Sequence, residues 1–147
     1  VSTHCYFELD GKEIDITRAN AALNELIQYH GAARIVIHSD GTQSILQQVP
    51  QYQMQVYDLT GTTEQARKQK LHCVRSEMSH QKINLATWPL FDIRAAIFEG
   101  GFKLFISFDN IIFDGFSMFQ VLSEWAERYR GTYEKKEPLA ISFRDYV

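Results

Sequence analysis

The chain has only two cysteines, Cys5 and Cys73, in 147 residues. Neither belongs to a C-x-x-C pair or to a Cys/His ligand spacing, so neither a disulfide framework nor a zinc site is indicated. Reduced thiols in a cytoplasmic setting follow as the expectation, with both cysteines inert in apolar patterns. Basic charge is scarce as well: 15 Lys and Arg against 18 Asp and Glu leave a formal charge of -3, which makes a nucleic-acid backbone a poor partner. No apolar run approaches the ~20 residues of a membrane span, and no basic n-region of a signal peptide opens the chain. Internal repeats and low-complexity segments are absent. The chain begins at Val1 rather than Met and opens directly into a strand pattern, which reads as a piece of something longer.

What is present is the composition of one globular domain, 45% hydrophobic and 13% aromatic, enough to bury a core. Thr3 to Leu9 alternates polar and apolar residues and is expected to form a strand ended by Asp10-Gly11. Ile16, Ala19, Leu23, Leu26 and Ile27 recur at helical spacing to about Tyr29, with Thr17 as N-cap. Arg34 to His38 and Gln43 to Gln48 flank the Ser39-Asp40-Gly41 turn as a hairpin. Gln53 to Asp58 reads as a strand. Thr62 with Gln65 resembles a capping box for a second helix, with a Leu71, Val74, Met78 face and an end near Gln81.

Phe91, Ile93, Ala95 and Ile97 alternate, Glu99-Gly100-Gly101 permits a turn, and Leu104, Ile106 and Phe108 alternate again, which predicts a hairpin. By the same period of two, Asp109 shares a face with Phe105 and Ser107. Met118, Leu122, Trp125 and Tyr129, with Phe119 and Ala126 beside them, mark a third helix ending near Gly131. A charged connector follows, and Ser142 is placed to cap a further helix. Interleaved strands and helices predict a two-layer α/β (α+β) fold.

The chemistry-bearing pattern is Asp109, Asp114 and Ser117, a D-x-x-x-x-D-x-x-S array between the strand and the third helix. Carboxylates at the end of a half-buried strand are either paired with cations or kept for chemistry. Only Asn110 joins them as a further oxygen ligand, too few for Ca²⁺ or Mg²⁺. Asp109 reads either as a group that orients or deprotonates an attacking amine or as a loop anchor bonded to main-chain N–H groups. Asp114, before Gly115, suits a helix N-terminus. Ser117 reads as a helix cap or as a group polarising a substrate carbonyl. His80, beside Ser79, is expected to be a helix-terminal or core-edge histidine, because adjacency in sequence makes no triad.

With these residues in view, the chain resembles the N-terminal half of a heterocyclization domain, the cyclizing branch of the condensation-domain family in nonribosomal peptide synthetases. Condensation domains usually carry H-H-x-x-x-D-G at this junction, and the cyclizing branch carries the array seen here. Arg75 with Met78-Ser79-His80-Gln81, Trp88 to Arg94, and Phe143-Arg144-Asp145-Tyr146-Val147 resemble other segments of that branch. His30-Gly31-Ala32-Ala33-Arg34 departs from the commoner His-Pro-x-Leu-Arg.

The resemblance implies half of a fold similar to chloramphenicol acetyltransferase, in which two such halves form a V around a tunnel. Residues 1–147 would be an incomplete N-terminal subdomain without its first helix and C-terminal half, inactive alone. No directly bound cofactor is implied; substrates arrive on phosphopantetheine arms of peptidyl or aryl carrier proteins, beside an adenylation domain. The implied reaction joins an upstream acyl group to carrier-bound Cys, Ser or Thr and cyclodehydrates the product to a thiazoline or oxazoline, as in many siderophores. It further implies Asp109, Asp114 and Ser117 as catalytic residues, with a structural ion pair between Arg34 and Asp114. An amide-forming condensation domain and a non-catalytic carrier-docking module are the alternatives. A half cut from its partner is also expected to self-associate through apolar surface and an open sheet edge.

Overall fold

The computed structural model describes residues 4–135. The Ser142 cap and the Phe143 to Val147 block lie outside the described residues. Strand β1 spans His4–Gly11, helix α1 Ile16–Tyr29, β2 Ile35–Ile37, β3 Gln43–Ile45, β4 Gln55–Asp58, α2 Glu64–Ser79, β5 Phe91–Phe98, β6 Gly101–Asp109 and α3 Gly115–Arg130. A single 3₁₀ turn at Gly31–Arg34 follows α1.

Sheet order is β1-β6-β5-β4. The β5–β6 hairpin predicted from alternation forms with Phe91 opposite Phe108 and Ile93 opposite Ile106. Gly100 turns it at φ 86°, a conformation that side-chain-bearing residues avoid. Strand β1 joins β6 antiparallel. Strand β4 joins β5 parallel, and α2 supplies the crossover that a parallel neighbour needs. The short β2–β3 hairpin stands as a separate two-stranded ribbon.

Because side chains alternate across a strand, the sheet buries two different faces. Leu104, Ile106 and Phe108 of β6 and Phe91, Ile93 and Ala95 of β5 point to one side. There they pack with Ala19, Ala22, Leu23, Leu26 and Ile27 of α1 and with Trp125 of α3 in the main core. Phe105 and Ala96 point to the other side and meet Val74 and Met78 of α2 in a smaller cluster. The α/β class is as expected, but helices lie on both faces. That makes three layers rather than the two anticipated, because interleaving alone does not say which side each helix takes.

Ions surround the smaller cluster. Glu8 of β1 receives Arg75 Nε at 2.6 Å, Tyr6 O–H at 2.6 Å and Lys103 Nζ at 2.9 Å. The Arg75 hydrogen bond is the main force holding its carboxyl down at about 2. Farther along β5, Arg94 binds Asp92 at 2.8 Å, Glu77 at 2.9 Å and the Tyr57 hydroxyl at 3.2 Å.

Several local expectations are corrected. The N-cap of α1 is Asp15, whose Oδ1 accepts from Arg18 N at 3.0 Å, and not Thr17. Thr63, not Thr62, caps α2, because the Thr62 hydroxyl is spent on Leu59 O at 2.7 Å in the preceding turn. Helix α2 ends at Ser79, β3 stops at Ile45, and Arg34 closes the 3₁₀ turn instead of opening a strand. Cys73 lies exposed on the outer side of α2 and is no packing residue. Phe119 is 71% exposed, outside the apolar stripe of α3.

Candidate functional site

Strand β6 delivers Asp109 at its last position, on the face of Phe105 and Ser107 that turns toward the α2 layer. Its main-chain N–H donates to Leu90 O at 3.0 Å, and its Oδ1 accepts from Ile111 N at 3.0 Å. Its carbonyl accepts from Ile112 N at 3.2 Å. The residue is 2% exposed. An aspartate bonded to the amide two residues on is an Asx turn, and here it reverses the chain from sheet to helix. The bond to the Ile111 amide is of the main-chain kind that the loop-anchor reading describes.

Five residues on, Asp114 caps α3. Its extended backbone and Oδ1, which accepts from Ser117 N at 2.7 Å, satisfy a first-turn amide that the helix itself cannot. Those hydrogen bonds, first from the Ser117 amide and then from its hydroxyl, hold the carboxyl of this exposed aspartate below the ordinary aspartate range. Ser117 is therefore not the cap but the residue the cap binds. The structure brings Asp114 and Ser117 together at the surface and holds Asp109 in a separate, buried hydrogen-bonded turn.

The expected Arg34–Asp114 ion pair does not form. Arg34 donates instead to four main-chain carbonyls: Ile27 O at 3.1 Å, Leu46 O at 2.6 Å, Gln47 O at 3.2 Å and Gln28 O at 3.3 Å. Ile27 and Gln28 lie in the last turn of α1, where carbonyls lack helical partners and the helix dipole favours a cation. Those acceptors outcompete a solvated carboxylate that already caps its own helix.

Farther along α3, where it meets the end of α1, lie groups that the sequence did not announce. Glu124, on α3, is 9% exposed; it receives Arg128 at 2.8 Å and contacts His30 Nε2 at 2.7 Å. Burial works to raise the Glu124 carboxyl, but the hydrogen bonds of Arg128 and His30 prevail and keep it below the ordinary glutamate range. Arg128 also stacks on Tyr133 with 3.8 Å from its guanidinium carbon to the ring centre. The spacing of four between Glu124 and Arg128 was the available signal for this pair. Phe116, 82% exposed, and Phe119 stand on the outer side of α3 one turn apart, beside the loop.

A crevice of about 40 Å³ opens between α1, α3 and the sheet, lined by residues such as Leu26, Phe108, Phe113, Met118 and Trp125. Its walls carry no polar side chain, so it offers packing space and no chemistry. His80 caps the end of α2, its Nδ1 within 3.0 Å of Ser76 O and of Ser79 Oγ, as expected of a helix-terminal histidine. Among the described residues, no three His, Cys, Asp or Glu side chains gather as a metal site would require, and no helix is long and apolar enough to cross a membrane.

A mixed sheet clad by helices, with a carboxylate-bearing turn leading from its second strand into a capped helix, defines a condensation-type half-fold. The condensation-domain model matches residues 2–147, and the chain belongs to that family. It is 32% identical over 135 residues to pyochelin synthetase PchF of Pseudomonas aeruginosa, covering 92% of the chain and 8% of that protein. It is 30% identical over 148 residues to bacitracin synthase 1 of Bacillus licheniformis, covering all of the chain and 3% of the synthase. The structure superposes on the EpoB cyclization-docking bidomain of a nonribosomal peptide synthetase from Sorangium cellulosum with TM-score 0.89 and 27% identity. That match covers 99% of the chain and 29% of the bidomain.

Proposed function

We propose that the chain is the N-terminal half of a heterocyclization domain in a nonribosomal peptide synthetase. The observation that carries the reading is the Asp109, Asp114, Ser117 array at the β6–α3 junction, where tandem histidines would mark a plain condensation domain. Likeness to a cyclization bidomain and to a pyochelin synthetase supports it.

In this reading an upstream acyl thioester and carrier-bound Cys, Ser or Thr meet beside the α3 N-terminus, both held on phosphopantetheine arms. The amine attacks the thioester carbonyl, the upstream carrier leaves as a thiol, and an amide forms. The side-chain thiol or hydroxyl then adds to that amide carbonyl, and loss of water gives the thiazoline or oxazoline. Asp114, exposed and kept ionised, is the carboxylate able to accept a proton or hydrogen bond from the amine. Asp109 acts from behind, fixing the loop that presents Asp114; Ser117 fixes the carboxylate itself. Carrier proteins, an adenylation domain and the remainder of the domain are the partners that this function requires.

The test uses the complete domain with acyl-loaded and Cys-, Ser- or Thr-loaded carrier proteins, read by mass spectrometry. Wild type is expected to yield a condensed product lighter by one water. Asp114→Asn is expected to slow its formation by roughly 10²-fold or more, the usual range for a lost acid–base group. Product that keeps the water would mean plain amide formation, and no product from wild type would mean a docking module.

A further inference from the structure

The α2 side of the sheet holds two buried oxygens that no protein group satisfies among the described residues, Ser107 Oγ and Gln81 Oε1. Ser107 is fully buried. Gln81 is not free to turn its amide over, because its Nε2 donates to Asp92 Oδ2 at 2.9 Å. Asp92 stands directly across from Ser107 in the β5–β6 ladder. Cross-strand partners carry their Cβ atoms only ~4.5–5.5 Å apart, so Ser107 lies beside the carboxylate that holds the Gln81 amide.

The chemistry of the pair specifies what would join them. Gln81 Oε1 can only accept, while a serine hydroxyl donates once and accepts as well. A bridging group must therefore donate to the amide oxygen and exchange a hydrogen bond with the hydroxyl. A cation is disfavoured, because Asp92 already carries the Arg94 guanidinium at 2.8 Å. Buried polar atoms are costly unless bonded, and in folded proteins ordered water commonly supplies the missing bond.

We propose that one ordered water molecule is held between Ser107 Oγ and Gln81 Oε1, inside the α2 layer and two residues before Asp109. This site does not depend on the cyclization reading. It ties the end of α2 to β6 where that strand delivers Asp109. The neighbouring tie is protein-only: His4, opposite Asp109 in the β1–β6 ladder, places its Nε2 3.3 Å from Met78 O.

A crystal structure of the complete domain, at a resolution that shows ordered solvent, tests the site directly. A density peak within hydrogen-bond distance of both oxygens is expected. Its absence, or a Ser107 hydroxyl found bonded to Gln81 or to a main-chain carbonyl, overturns the proposal. Thermal unfolding of Ser107→Ala separates the cases in solution. Loss of a water bridge should lower Tm measurably below that of wild type, by at most about 2–4 °C, the shift that ~1 kcal/mol produces in 150–250 residues and less in a longer chain. A Tm equal to or above that of wild type would mean that Ser107 was an unsatisfied group whose removal brings relief, and would equally overturn it.

Discussion

The two faces of the sheet bury neighbouring residues of the same strands in unlike surroundings. Toward α1 and α3, the contacts are almost wholly aliphatic and aromatic. Toward α2, four buried hydrophobic residues are ringed by Glu8, Arg75, Lys103, Asp92 and Arg94. One face holds its helices by area removed from water, which is indifferent to direction; the other adds directional bonds that fix where α2 sits. Asp109 belongs to the directional face and Asp114 to neither, standing in solvent at the cap of α3. The array thus joins a carboxylate set by the interior to one set by the helix end.

Adjacent residues of β6 provide the sharpest way to break this comparison. Phe105→Ala and Ile106→Ala each remove a fully buried side chain, at about 3–5 and 2–5 kcal/mol respectively by chemical denaturation. The expected difference lies in the response to amide exchange: Phe105→Ala should lose protection chiefly in α2, and Ile106→Ala throughout the domain. Equal loss of protection in both variants would erase the distinction between the faces.

Arg94→Met should be next in size. It strands the half-buried Asp92 without its cation, at roughly 2–3 kcal/mol after allowing for solvent reach. Adding Asp92→Leu should recover most of that loss, since an apolar pair leaves no stranded charge; a double variant worse than the single would show that the ion pair itself stabilises.

Acid weakens the directional face through Glu8. Glu8 has its folded value lowered to about 2 from 4.5, so its contribution is complete above about 4.5 and drains away as pH falls toward 2. Denaturation midpoints followed over that window should fall less steeply in Glu8→Gln than in wild type.

The smallest effect is expected of Asp114→Ala, which loses the α3 cap, with Asp114→Asn losing less because asparagine also caps. Measured by urea unfolding, these values set the structural share of any loss of activity in the same variants.

Much of the fold was legible in the chain. The β5–β6 hairpin and the helix stripes of Leu23, Leu26, Ile27 and of Val74, Met78 follow from side-chain periodicity, which survives folding intact. The shared face of Phe105, Ser107 and Asp109 was legible for the same reason. Which of two neighbouring hydroxyls caps a helix was not, because Thr62 and Thr63 have the same preference and only the preceding turn decides between them. The partners of Arg34 were illegible in another way. Carbonyl acceptors belong to the main chain and leave no mark in residue types. The exposure of Phe119 shows a limit of stripe reading as well, since a residue at the margin of an apolar arc takes its surroundings from whatever lies beside the helix.

The four carbonyls around Arg34 carry a consequence for how the domain tolerates change. Ile27, Gln28, Leu46 and Gln47 are recognised through groups that every amino acid possesses. Substitutions at Gln28 and Gln47 therefore leave the joint between α1 and the hairpin intact, while lysine in place of Arg34 would lack the planar fork that spans it. Variation can run freely through the exposed segments that the joint connects, so long as the one arginine stays.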